Sequence, residues 1–107
     1  MAVKTTNYKN EKNGVYLPEA YGILDEIKKS KGTNFVTATF VIKASREHTG
    51  YVDTVKVSFT WDRKTNLAEM AYNEAKSSKI VKEWDEQKGE IDTVVYMPFY
   101  GWQDDYS

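Results

Sequence analysis

The side chains best suited to acid–base or nucleophilic chemistry are scarce in this chain. His48 is the one histidine, it lies in the polar segment 45–50, and cysteine is absent. A histidine acts as a general base only when a second group orients it and a nucleophile lies within hydrogen-bonding reach. Glu47 and Thr49 adjoin it in sequence, which does not create that geometry. We therefore expect an ordinary exposed histidine, and the composition excludes a metal site built from several histidines or from thiolates.

Carboxylates are plentiful, with 16 Asp and Glu side chains among 107 residues. A glycosidase needs two of them at a fixed separation across a cleft, and a single domain of 12.4 kDa rarely provides such a cleft. The glycines are scattered and form no phosphate-binding loop. We expect no enzymatic activity, no cofactor and no metal ion.

The charges nearly cancel over the whole chain, with 15 basic and 16 acidic side chains. The strongly basic balance typical of nucleic-acid-binding proteins is therefore missing. Residues 1–64 hold eleven basic and seven acidic side chains, whereas residues 65–107 hold four and nine. Opposite charge on two ends of a molecule suits head-to-tail contacts between subunits, although two solvated faces would give the same pattern.

Aromatic and acidic residues cluster near the end of the sequence. Because Tyr and Trp are common anchors of protein interfaces, these residues are the candidate interface with another subunit. Two alternatives stay open: the tail folds back to close the core of its own domain, or its rings stack on sugars. The candidate interface residues are Phe99, Tyr100, Trp102, Asp104 and Asp105.

Alternating hydrophobicity predicts the strands that would position this tail. In residues 35–44 and 51–61 every second side chain is suited to a core, which is typical of strands with one solvated face. Residues 91–96 predict a last strand. Residues 19–28 fit both a helical stripe and a strand, and we favour the strand, with Tyr21, Ile23 and Ile27 on one face.

One helix is predicted after the second strong strand. Asn66 is a suitable N-cap because Glu69 follows three residues later, and apolar residues then recur at helical spacing to about residue 77. Residues 78–84 fit either a short helical turn or an anchoring loop. Residues 85–90 predict a turn by their polarity and their glycine.

The domain organisation follows from composition. Residues 1–14 are rich in Lys, Asn and Thr and predict a flexible N-terminal arm unless a partner orders it. Residues 15–107 are expected to form a single β-rich domain with an aromatic C-terminal tail. The expected fold is α+β and mainly antiparallel β: a small β-sandwich, or one curled sheet, with one covering helix.

The sequence carries no secretory signal that we recognise, and no apolar run approaches the roughly 20 residues of a membrane span. We therefore expect synthesis in a cytoplasm and no membrane partner.

Several short motifs, in this order, resemble a group of phage proteins. Leu-Pro-Glu-Ala-Tyr-Gly-Ile at 17–23 precedes a β pair, Val-Ser-Phe-Thr-Trp follows at 57–61, Ala71 and Tyr72 lie in the predicted helix, and Phe-Tyr-Gly-Trp-Gln-Asp-Asp stands at 99–105. The chain resembles small proteins encoded in the tail and baseplate region of siphophages that infect Gram-positive bacteria. It is also similar to the N-terminal shoulder domain of lactococcal-type phage receptor-binding proteins, which is a β-sandwich with a helix.

The resemblance implies a non-enzymatic accessory structural protein of the phage tail tip or baseplate. Such a protein would associate with itself or with other tail proteins, and would pass from the host cytoplasm into the virion tail. No catalytic residues carry over. The alternatives are a small module that binds cell-surface carbohydrate or a host protein, and a single-stranded nucleic-acid-binding protein that stacks bases on exposed rings.

Overall fold

The computed structural model describes residues 1–47 and 50–105. Within them the chain forms seven strands and one helix, and every strand pair is antiparallel. This confirms the predicted α+β, mainly antiparallel fold. The elements are β1 (Ala2–Lys9), β2 (Tyr16–Lys29), β3 (Phe35–Lys43), β4 (Asp53–Thr60), α1 (Leu67–Lys76), β5 (Ser78–Asp85), β6 (Gly89–Tyr96) and β7 (Gln103–Asp105).

Five strands form an open sheet in the order β4-β3-β2-β1-β7, and β5 and β6 form a separate two-stranded hairpin. The helix α1 packs on one face of the large sheet, chiefly against β2 and β4. β1 lies between β2 and β7, with Ala2 opposite Asp105. The described chain therefore joins its first and last strands side by side.

The predicted flexible arm is wrong for residues 2–9, because this segment is an interior strand of the sheet. Ala2 and Val3 are fully buried. Asn7 has φ 55°, which interrupts the alternation of side chains, so that Val3 and Tyr8 both pack against the core. Polar residues dominate this segment because most of its side chains face solvent, which a strand of an antiparallel sheet tolerates.

The strand favoured over residues 19–28 is confirmed, but its predicted buried face is wrong in part. A register shift between Leu24 and Glu26 marks a β-bulge opposite β3, and such a bulge moves the following side chains to the other face. Ile27 packs against the core as predicted. Tyr21 and Ile23 precede the bulge, and they lie on the face away from α1.

The alternating segments behave as predicted. Val36, Ala38, Phe40 and Ile42 of β3 are buried, and their cross-strand partners on β4 include Phe59. Small side chains on the buried stripe of the helix permit its close approach to the sheet. The core cluster contains Val3, Ala20, Val36, Ala38, Phe40, Ile42, Val57, Phe59, Ala71, Tyr72, Ala75 and Phe99.

The predicted helix cap is confirmed, since the Asn66 Oδ1 accepts a hydrogen bond from the Glu69 N–H at 3.2 Å. Beyond the helix, residues 78–85 form a strand rather than the helical turn or loop that we considered. Ile80 and Val81 are adjacent, so they point to opposite faces of β5 and leave no two-residue period to detect. The predicted turn and last strand are confirmed by the hairpin that β5 forms with β6.

Candidate interaction surfaces

Phe99, the first of the candidate interface residues, lies inside the core of its own chain. Its side chain is fully buried, and its ring centroid lies 5.2 Å from that of Phe40 in an edge-to-face contact. The Phe99 N–H donates to the Ala75 carbonyl at 2.8 Å, which fixes the tail to the last turn of α1. This side chain is not available to another subunit in the folded chain.

Three more of these residues have intramolecular partners. Trp102 is partly buried, with its ring 4.6 Å from that of Phe99 and 5.9 Å from that of Tyr8. The Asp104 carboxylate pairs with the Lys76 ammonium at 2.5 Å. The Asp105 carboxylate pairs with Arg46 at 3.7 Å.

Tyr100 is the member of the five whose side chain is largely exposed, at 52%. The interface assignment therefore stays a prediction, and Tyr100 is its most accessible residue. His48 lies outside the described residues, so its predicted surface position also stays a prediction.

The β5–β6 hairpin projects from the rest of the molecule. Its two strands contact each other extensively, and they touch the other described elements at most marginally. The radius of gyration is 15.8 Å and the longest dimension is 47 Å, whereas a compact chain of this length has a radius of gyration of about 13 Å. The described chain is therefore more extended than a compact domain of its length.

One face of the hairpin carries several exposed apolar side chains. Directly opposite residues of an antiparallel pair share a face, and the register places Ile80 opposite Val94. Tyr96 lies two positions to one side of Val94, and Trp84 lies four positions to the other side of Ile80, beyond the Lys82–Asp92 pair. Ile80 is 70% exposed and Trp84 is 77% exposed. Tyr100 extends this surface, because its ring centroid lies 4.5 Å from that of Tyr96. We call these five residues the hairpin face.

The base of the hairpin is anchored, so its direction is fixed by the fold. The Met97 N–H donates to the Ser77 carbonyl at 3.0 Å. The Ser77 hydroxyl in turn donates to the Glu74 carbonyl at 2.7 Å, and the Lys79 ammonium pairs with the Glu74 carboxylate. The hairpin thus leaves the domain at the C-terminal end of α1.

A second exposed surface is basic and lies where β2, β3 and β4 reach one end of the sheet. Its side chains come from the end of β2, from the β2–β3 turn and from the loop that follows β4. The Arg63 Nε donates to the Asn34 Oδ1 at 2.9 Å. The backbone N–H of Trp61 donates to the backbone carbonyl of Asn34 at 2.8 Å. These bonds hold the loop and the turn together. The exposed cations of this basic end are Lys28, Lys29, Lys31, Arg63 and Lys64.

The loop that carries Arg63 is held by an aspartate. The Asp62 carboxylate accepts hydrogen bonds from the backbone N–H groups of Lys64 and Thr65, both at 2.8 Å, and from the Thr65 hydroxyl at 2.7 Å. These bonds, with that from the Thr65 N–H foremost, lower the pKa of Asp62. The same bonds that hold the loop therefore favour the ionised form of this carboxylate.

The described surface also has a groove of about 350 Å³ beside β1 and the 101–103 segment. Lys4 and Glu19 are the charged residues in its lining, with threonines, Gly101 and Gln103 completing it. Over residues 1–47 and 50–105, no group of three or more His, Asp or Glu side chains is placed to hold a metal ion. In that same part of the chain, no helix is long and apolar enough to cross a bilayer.

The fold and these surfaces define a small α+β domain with a projecting hairpin. Comparison of the chain with protein-family models, with curated proteins and with solved structures finds no match.

The hairpin face was not predicted from the sequence. Its signal was present in the two apolar pairs at 80–81 and 94–95, which flank the predicted turn at equal distance and point to a hairpin.

Proposed function

We propose that this protein is a non-enzymatic structural subunit that acts through protein–protein contacts, with the β5–β6 hairpin as its attachment element. The hairpin face carries the proposal. An isolated two-stranded hairpin is marginally stable in water at best, and large apolar patches on soluble proteins mark interaction sites. A partner that covers Ile80, Trp84 and Val94 would stabilise the hairpin and would remove these apolar side chains from water.

The size of the face supports this role. Tyr96 and Tyr100 are 60% and 52% exposed. Since an aromatic side chain contributes about 150–250 Å², these exposed portions amount to roughly 200 Å². The neighbouring Ile80 and Val94 are 70% and 48% exposed, and they bring this area toward the range of about 300–600 Å² in which the largest patch of a monomer is often functional.

The more specific proposal is an accessory protein of a phage tail tip or baseplate. It is supported by the sequence resemblance over residues 16–105 and by a fold that combines antiparallel strands with one helix. A tail assembles from repeated protein contacts, and a rigidly based hairpin with an apolar face is suited to make one.

Two measurements test this role. Virions of the phage that encodes the chain would be purified, and its copy number relative to the major tail protein determined by mass spectrometry. We expect a fixed small multiple, and absence from virions overturns the tail assignment. Complementation with a chain in which Asn-Gly replaces residues 80–94 would then test the hairpin. This variant should keep its cooperative melt and fail to enter particles.

A matched pair of single substitutions sharpens the test. Tyr51 and Tyr96 are each 60% exposed, but Tyr51 lies outside the hairpin. Tyr96→Ala should lower incorporation into particles, whereas Tyr51→Ala should leave it unchanged. Equal effects of the two substitutions would argue against the hairpin as the attachment element.

The second candidate is binding of cell-surface carbohydrate. It is favoured by the exposed ring of Trp84, which lies opposite Glu90, because an exposed indole can stack on a sugar and a carboxylate can accept hydrogen bonds from the sugar hydroxyls. Titration with purified wall polysaccharide should then change tryptophan fluorescence, and Trp84→Ala should abolish the change. An unchanged spectrum at saturating polysaccharide excludes this candidate.

A further inference from the structure

The tip of the hairpin is an acidic surface with an apolar centre. Residues 82–92 hold two lysines and five carboxylates, a net charge of −3. Their charged side chains are exposed except for a partly buried Asp85. Trp84 stands among them with 77% of its side chain exposed. We call residues 82–92 the acidic tip.

The basic end is its counterpart in charge and size. Residues 26–31 and 61–64 hold its five cations and two carboxylates, a net charge of +3. Of the carboxylates, Glu26 pairs with Lys28 at 3.2 Å. Phe35 lies at the start of β3 beside these cations and is 47% exposed. An exposed ring and lysine stems form a surface on which an indole can pack, and the ammonium groups favour an aromatic face.

The two surfaces do not meet within the described chain, because β5 and β6 touch the other elements at most marginally. Lys64 precedes the N-cap of α1 by two residues, and β5 begins two residues after Lys76. A ten-residue helix therefore separates the base of the hairpin from the loop that carries Lys64, a length of about 15 Å. The hairpin base also adjoins the segment that leads into β7, which is the sheet edge opposite β4.

From this arrangement we propose that copies of this chain assemble head to tail, with the acidic tip of one copy seated on the basic end of the next. Each copy then uses one of each surface, which is a heterologous contact that closes into a ring or extends as a filament. The inference rests on the proposed function, because it takes the hairpin as the attachment element and names a second copy as its partner.

Charge decides against the symmetric alternative. Pairing of two hairpins through their tips would bring together two surfaces of net charge −3, and the juxtaposition of like charges opposes association. The head-to-tail contact brings −3 against +3. It also covers Trp84 with the neighbour's Phe35 and with the lysine stems.

Sedimentation velocity of the full chain over a concentration series tests the inference with two surface variants. The tip variant combines Trp84→Ala with Glu86→Lys, and the end variant combines Lys29→Glu with Lys31→Glu. The natural chain should form species larger than a dimer, and should dissociate as salt is raised. Each variant should associate at least about tenfold more weakly, while Lys4→Glu, an exposed charge reversal on β1, should associate as the natural chain does.

Mixing the two variants gives the decisive result. The basic end is unaltered in the tip variant, and the acidic tip is unaltered in the end variant. One contact can therefore form between the two variants, and an equimolar mixture should form dimers and nothing larger. A mixture that stays monomeric overturns the head-to-tail contact, as does a natural chain that saturates at a dimer or an end variant that associates normally. Far-UV circular dichroism melts would show that both variants are folded.

The two proposals fail in different ways. A natural chain that remains monomeric at every concentration overturns the self-assembly inference. Its presence in virions at fixed copy number would still support the structural role, with another protein as the hairpin's partner.

Discussion

The hydroxyl of Tyr72 is inserted into the ladder of the large sheet at Leu24. It accepts a hydrogen bond from the Leu24 N–H at 2.8 Å and donates one to the Met1 carbonyl at 2.9 Å. The β1–β2 register pairs Val3 with Gly22, so Met1 falls opposite Leu24 two positions further on. The helix thus supplies, through one side chain, a bridge at the position where the two strands cease to pair.

Removal of this hydroxyl should destabilise the fold. Tyr72→Phe keeps the ring, which packs edge-to-face on Phe40 at 5.1 Å, but leaves the Leu24 N–H without its acceptor. We expect a loss of about 1–2 kcal/mol in the free energy of unfolding, measured by urea denaturation. Tyr21→Phe is the matched control, because its hydroxyl bonds the exposed Glu19 and its loss should cost less than about 0.5 kcal/mol.

Because of this hydroxyl, we expect the free energy of unfolding to decrease at alkaline pH. Burial raises the pKa of Tyr72 above its ordinary value of 10.0, against smaller opposing effects of the Leu24 N–H and Arg46. A raised pKa in the folded state means that the folded chain holds the proton more tightly than the unfolded chain. The stability that the protonated Tyr72 hydroxyl contributes is therefore complete below pH 10, and it is lost as the pH rises through the pKa of Tyr72 in the folded state.

Urea midpoints measured from pH 7 to pH 11.5 would check this dependence. The natural chain should lose stability above about pH 10, and Tyr72→Phe should flatten that part of the curve. Identical alkaline slopes in the two chains would show that other groups govern the loss.

Gly22 should not tolerate a side chain. A Cβ built there would lie 2.5 Å from the Cζ of Phe99 and 2.9 Å from a methyl carbon of Val3, both of which are fully buried. Gly22→Ala should therefore cost about 1–3 kcal/mol through overpacking. In a double-mutant cycle, Phe99→Leu should be less destabilising in the Gly22→Ala chain than in the natural one. Additive effects would exclude the proposed clash.

Two neighbouring residues of the tail should differ sharply in their effect on stability. Phe99→Ala removes a fully buried ring and should cost about 3–5 kcal/mol. Tyr100→Ala removes an exposed one and should change the free energy of unfolding by less than about 0.5 kcal/mol. Thermal melts followed by circular dichroism would measure both. A small effect of Phe99→Ala would show that the tail is dispensable to the core.

The parts of this fold that were predictable are those with one solvated and one buried face. The β3 and β4 segments alternate in polarity because each meets the core on one side, and the helix shows its cap at Asn66 and its stripe of alanines. The central position of β1 was hidden, because Val3 and Tyr8 are five residues apart and only the backbone kink at Asn7 brings both to the core.

The candidate site was predictable in part for a similar reason. The tail was recognised as aromatic, but composition cannot distinguish a ring that fills a core, such as Phe99, from one left in solvent, such as Tyr100. The hairpin face escaped detection because apolar residues occur on both sides of β5. A strand whose contacts outside its own hairpin are at most marginal has no buried side to impose a period of two.

The placement of β1 between β2 and β7 also bears on when this protein can fold. During synthesis β1 emerges first and can pair with β2 early, but one of its edges has no neighbour until residues 103–105 have been made. Until then Phe99 is also missing from the core, and the apolar side of the sheet around Val3 and Gly22 stays uncovered. The sheet is therefore completed only after nearly the whole described chain has left the ribosome, and the nascent chain presents the open edge of β1 until β7 has emerged.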